Sequence, residues 1–184
     1  MDFNEHLDLA GQHAFLSASS YHWINYTPEK LDDRWRTAKA AARGTALHAF
    51  AHLAIGLGQK LPRSPKTLNQ YVNDAIGFHM ATEKVLYYSE NCFGTADAIC
   101  FRKNILRIHD LKTGDIPGSV HQLEVYAAMF CLEYGVNPAK IEMELRIYQA
   151  DEVEIYIPEP EVIMRIMRTI VDFDKQIELL KTAL

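Results

Sequence analysis

Residues 94–114, GTADAICFRKNILRIHDLKTG, decide the fold. Two alternating runs, 95–102 and 105–112, flank Lys103-Asn104 and predict a tight β-hairpin. A turn closed by Arg102 and Ile105 sets Phe101 opposite Leu106, Ile99 opposite Ile108 and Asp97 opposite Asp110. Two acids then meet at the end of an otherwise apolar face. Side chains alternate with a period of two along a strand, so Lys112 projects to the same side as Asp110, one step beyond it. Like charges about 5 Å apart across a strand pair destabilise it unless a cation lies between them. The pair therefore calls for a divalent metal with Lys112 beside it, whereas either acid alone would serve as a solvated strand end.

Outward from the hairpin, residues 83–89 are rich in aromatics and predict a strand that turns into it through Glu90-Asn91. Glu83 and Glu90 are the nearest additional acids, each a candidate ligand or a solvated charge. Downstream, a turn at 115–118 leads to a helix over 119–134, whose buried stripe is Val120, Leu123, Ala127, Phe130 or Cys131, and Tyr134. Gln122 and Tyr126 lie one turn apart on an adjacent face, placed to aim an amide and a phenol at the site or to form an ordinary helix edge. Two more strands, 141–148 and 153–157, flank a turn at Asp151-Glu152, and a helix over 159–180 starts at Pro158 and Pro160.

Upstream, residues 14–28 predict a short helix capped by Ser17, Ser19 or Ser20 and stopped near Thr27-Pro28. Its Tyr21, Trp23 and Tyr26 suit core packing better than base stacking. A long helix over 32–57 carries Trp35, Ala38, Ala42, Ala46, Ala49 and Leu53 on the face expected to pack inward. Arg36, Lys39 and Arg43 make the densest basic stretch, a candidate phosphate contact or a solvated face. In the proline-rich loop 61–69, Arg63 and Lys66 are further candidates for contact with a substrate groove. His48 and His52, four residues apart, raise a zinc reading, but Ala49 stands where a zinc hydrolase has its glutamate. His48 alone, delivered to the acid pair, fits better.

With 184 residues, 48% hydrophobic and 23% charged, the chain suits one soluble domain, residues 1–80 mainly helical and 83–184 forming a sheet core with a closing helix. The expected architecture is α/β, a central mixed sheet of about five strands flanked by helices. No apolar run nears the roughly 18 residues of a membrane span. The start lacks a basic then apolar leader, so a cytoplasmic location is expected. Cys92, Cys100 and Cys131 form no C-x-x-C pair and read as buried thiols. A formal charge of −5 disfavours indiscriminate coating of nucleic acid but leaves room for a local basic track.

Four blocks, G-T-A-L-H with His48, G-T-A-D-A with Asp97, H-D-L-K-T-G with Asp110 and Lys112, and Q-L-E-V-Y with Gln122 and Tyr126, occur in order over residues 44–126. In this the chain resembles the PD-(D/E)XK nuclease superfamily, in its RecB-like branch with many phage-encoded nucleases; the serine-rich start SASSYHW is also similar. The resemblance implies a restriction-endonuclease-like core. It implies further that His48, Asp97, Asp110 and the Leu111 backbone carbonyl hold Mg²⁺ or Mn²⁺, that Lys112 assists the attacking water, and that Gln122 and Tyr126 shape the DNA side of the pocket. The cysteines that hold an iron–sulfur cluster in some relatives have no counterpart at Tyr26-Thr27-Pro28 or after Cys131, so no cluster is expected. The function implied is a metal-dependent deoxyribonuclease, an exonuclease in phage or prophage DNA recombination or processing, in a bacterial host cytoplasm. DNA and a recombination or single-strand annealing protein are the implied partners. The alternative is an idle nuclease-fold module that binds DNA ends or protein.

Overall fold

The computed structural model describes residues 14–114 and 116–183. Asp115, which opens the expected turn at 115–118, and the N-terminal stretch tested for a leader lie outside them. The chain divides into two compact units, 1–43 and 44–184, so the sheet domain expected to take in the whole chain is confined to the second.

In the first unit no described residue is buried. Ala18–Asn25 form two 3-10 turns kinked at Ser20, and Ser17 makes no side-chain cap, so the expected capped helix is replaced by a tighter coil. Trp23 donates its indole N–H to the Ser17 carbonyl at 2.8 Å, and Tyr21 is exposed; neither enters a core as expected. Helix α1, Pro28–Gly56, begins where Thr27 offers its hydroxyl to the Lys30 N–H and runs on into the second unit. Its expected inward stripe is wrong: Trp35, Ala38, Ala42, Ala46, Ala49 and Leu53 are all exposed, and Gly44, Ala51, Ala54 and Ile55 are buried. Alanine favours helix in any environment and carries little apolar area, so an alanine row says little about which side is covered.

The second unit is an α/β layer built on one five-stranded sheet. Helix α2, Thr67–Phe78, is stopped by His79 in the left-handed conformation and leads into β1, Ala81–Ser89. Strands β2, Cys92–Arg102, and β3, Ile105–Leu111, complete an antiparallel meander. The β2–β3 turn is Lys103-Asn104, both at positive φ, which matches the right-handed twist of its strands. Arg102 pairs with Ile105, Phe101 with Leu106 and Ile99 with Ile108, the register expected from the turn. Helix α3, Val120–Glu133, then crosses over so that β4, Glu142–Gln149, lies parallel to β3. Ala150-Asp151 turns β4 into the antiparallel edge strand β5, Glu152–Tyr156, one residue earlier than expected. Helix α4, Pro160–Thr182, closes the chain. No described helix is long and apolar enough to cross a membrane.

Alternation sends side chains to both faces of the sheet. On one, Leu86, Ile99, Leu106, Ile108, Leu145 and Ile147 meet α3 and Ile163 of α4. On the other, Ala98, Cys100, Leu111 and Tyr148 meet Tyr71, Val72 and Ala75 of α2 and the end of α1. Tyr134, expected in the α3 stripe, is exposed just past the helix, while Ala128, Met129 and both Phe130 and Cys131 are buried. A helix bedded this deeply hides more than one stripe.

Candidate metal centre

His48 reaches the sheet because it shares the buried side of α1 with Gly44, Ala51 and Ile55, at steps of four, three and four residues. Gly44 lets the helix come close: a Cβ there would stand 2.6 Å from Thr113 Oγ1, just beyond Lys112. His52 faces elsewhere, with Nδ1 2.5 Å from Thr82 Oγ1, so the two imidazoles do not converge as a zinc pair.

Glu83 is bracketed by the rungs Thr82–Ala98 and Lys84–Ala96, which leave it level with Asp97. It sits at φ 51°, a left-handed conformation rare for a side chain of this kind and unusual inside a strand. His48, Glu83 and Asp97 each offer one ligand atom, and these atoms lie within 4.8 Å of one another. Asp97 Oδ2 is 3.6 Å from His48 Nδ1 and accepts the Leu111 N–H at 2.9 Å. Burial raises the Asp97 pKa above the usual carboxylate range; the Leu111 N–H opposes this, Asp110 adds to it, His48 opposes it and Glu83 adds to it.

The rungs of β2 and β3 end at Ala98–His109, one step short of the two acids. Asp97 gives its oxygen to a backbone N–H and so stands apart from a simple cross-strand pair with Asp110. Asp110 stands beside the three-residue cluster and takes hold of Lys112. The Lys112 ammonium donates to Asp110 Oδ1 at 3.2 Å and lies 2.9 Å from Oδ2. That second oxygen is buried and, apart from this ion pair, has no hydrogen-bond partner. Lys112 also donates to Gln122 Oε1 at 3.0 Å, Gln122 Nε2 to the Tyr126 hydroxyl at 3.3 Å, and Tyr126 to the Thr95 carbonyl at 2.7 Å. Gln122 and Tyr126 are thus joined to the site, forming a chain from the cation back to β2.

Two glycines and a glutamine, unmarked as site residues in the sequence, shape this arrangement. A Cβ on Gly94 would stand 3.1 Å from Tyr126 Cε1, and one on Gly118 would stand 3.1 Å from Lys112 Cγ and 2.9 Å from Ile147 Cγ2. Gln149 donates to the Gly114 and Ile116 carbonyls at 2.6 and 2.8 Å and accepts the Gly118 N–H at 2.9 Å, tying the loop after Lys112 to β4. Such long-range partners leave no local signature. Behind the strands, His109 is fully buried, its Nδ1 3.2 Å from the Tyr148 hydroxyl, and burial, followed by the Arg146 and Arg107 charges, lowers its pKa to about 3.

Glu90 does not join the centre. It lies in the β1–β2 turn, seven residues from Glu83 and so about 23 Å along the strand, within the field of Lys181. Lys66 is taken up by an ion pair of 2.9 Å with Asp151, and Arg63 lines a hollow with Lys60, Gln70 and Asp74. In the first unit, Arg36 pairs with Asp32 at 3.0 Å, Lys39 lies 5.1 Å from the centre of the Trp35 ring, and Arg43 is exposed.

Comparison with protein-family models, with curated proteins and with solved structures finds no match.

Proposed function

We propose that the chain is a metal-dependent deoxyribonuclease hydrolysing phosphodiester bonds. The observation that carries the reading is the convergence of His48, Glu83 and Asp97 beside a lysine held by Asp110 and Gln122. The residues fit a divalent ion: one imidazole and two carboxylates close together, and a third carboxylate, Asp110, nearby with a buried oxygen that lacks a hydrogen bond. Oxygen donors suit Mg²⁺, and the imidazole shifts the preference toward Mn²⁺. When bound, such an ion supplies a nucleophilic water near neutral pH and relieves charge on phosphate oxygens.

The chain's own groups do the rest. Asp110 and Gln122 hold the Lys112 ammonium from two sides, so a compact positive charge is in place for the phosphate without reorganisation. Tyr126 fixes Gln122 by anchoring it to the Thr95 carbonyl. On this reading the protein is an exonuclease of the RecB-like type in phage or prophage recombination or processing, working on DNA in the bacterial cytoplasm with an annealing partner.

The test is purified protein with linear and circular DNA in Mg²⁺, Mn²⁺ or chelator. Linear DNA is degraded with Mn²⁺ and spared with chelator; Lys112→Ala abolishes cleavage while circular dichroism shows the fold intact. Undiminished cleavage by Lys112→Ala overturns the assignment.

A further inference from the structure

Beyond Glu83 and Asp97 the β1–β2 ribbon continues through the rungs Val85–Thr95 and Tyr87–Phe93. Leu86 and Ala96, which alternate with these residues, are buried against the α3 side. Val85, Thr95, Tyr87 and Phe93 therefore line the opposite face. That face is open: Val85 is 51% exposed, Tyr87 47% and Phe93 64%. The Tyr87 and Phe93 rings lie side by side across the strands, centroids 6.5 Å apart and planes within 26°.

We propose that this face is a stacking platform for single-stranded DNA entering or leaving the metal centre, with bases laid on Tyr87 and Phe93. The proposal rests on the nuclease reading. Three observations choose the occupant. The platform lies on the same ribbon as Glu83 and Asp97, starting one rung beyond Lys84–Ala96. Its four side chains are uncharged, so it suits the faces of bases and offers nothing to phosphates. Duplex DNA keeps those faces stacked inside the helix, so only an unpaired strand presents them. Two-residue steps along the ribbon measure about 6.8 Å, twice the 3.4 Å spacing of stacked bases along one strand of a duplex. An opened strand thus keeps step with Val85 and then with the aromatic pair, about 14 Å from the carboxylates.

The experiment measures binding of fluorescein-labelled oligothymidylate by anisotropy with Ca²⁺ as a non-catalytic ion, alongside cleavage of linear DNA with Mn²⁺. Tyr87→Ala/Phe93→Ala and Tyr87→Leu/Phe93→Leu are each expected to weaken binding by roughly tenfold or more, because leucine keeps apolar contact but has no ring face. Phe93→Trp is expected to keep the affinity, and its added indole emission is quenched when the oligonucleotide binds. Both side chains are exposed, and circular dichroism checks that each variant folds. Parent protein that cleaves DNA while both double variants bind with parental affinity overturns the platform and leaves the nuclease standing. So does Phe93→Trp emission that ignores saturating oligonucleotide. Variants that change the oligomeric state with DNA affinity intact assign the face to self-association and also overturn it. Parent protein that neither binds nor cleaves DNA removes the nuclease reading and the platform with it.

Discussion

Glu83 concentrates the physics of the site in one backbone angle. A non-glycine residue held at φ 51° costs on the order of 1–3 kcal/mol, and the bracketing rungs on either side hold it there. Glycine adopts this conformation without strain. Glu83→Gly is therefore expected to melt above Glu83→Ala, although alanine is the better strand residue, and both are expected to lose Mn²⁺ binding measured by calorimetry. An Ala variant melting at or above the Gly variant would show that the left-handed angle stores no strain. Gly118 is the matching case on the other side of the site. Gly118→Ala presses a methyl against Ile147 and the Lys112 stem, and crowding of this kind costs about 1–3 kcal/mol. The variant is expected to melt lower and cleave far more slowly. Unchanged cleavage would mean that the Lys112 stem yields without moving its ammonium.

At the scale of elements, α2 is started by a residue from a distant turn. Asp151 accepts the Thr67 N–H at 2.9 Å and pairs with Lys66, while its own N–H is taken by the Thr67 hydroxyl at 2.6 Å. The Lys66 hydrogen bond, then the Thr67 N–H, lowers the Asp151 pKa below its usual 3.8. A depressed carboxylate pKa stabilises the fold above the unfolded value and ceases to do so as pH falls through the folded one. Asp151→Ala should therefore lower the melting midpoint at neutral pH, and the gap to the parent should close as pH drops below 3.8. A gap independent of pH would refute the charge-dependent cap. Elements were legible in the sequence where local chemistry governs them. Alternation around Lys103-Asn104 gave away the central hairpin and its register, and Ser119 marked the start of α3 by accepting the His121 N–H. What could not be read depends on distant partners: the covered side of α1, the turn of Glu83, and Gln149 holding the loop before α3. Gln122 and Tyr126 were readable as neighbours on a helix but not as a chain ending on β2.

For the molecule as a whole, the buried residues described lie in the unit 44–184, in clusters on the two faces of the sheet. Cys131 lies in that core, and burial pushes its thiol up to about 11. A thiolate is the reactive form, so in mildly alkaline buffer iodoacetamide should label Cys131 only as fast as the native structure opens, and promptly in urea. Fast labelling of the folded chain, followed by mass spectrometry of the peptide, would contradict so tight a core. The rim of the sheet carries one more consequence. Tyr87 sits on the outermost strand, and its N–H is already donated to the Glu133 carboxylate at 2.9 Å. A foreign strand approaching that border finds this donor occupied and a negative charge in its way, so the same glutamate that finishes a helix guards the protein against edge-to-edge aggregation.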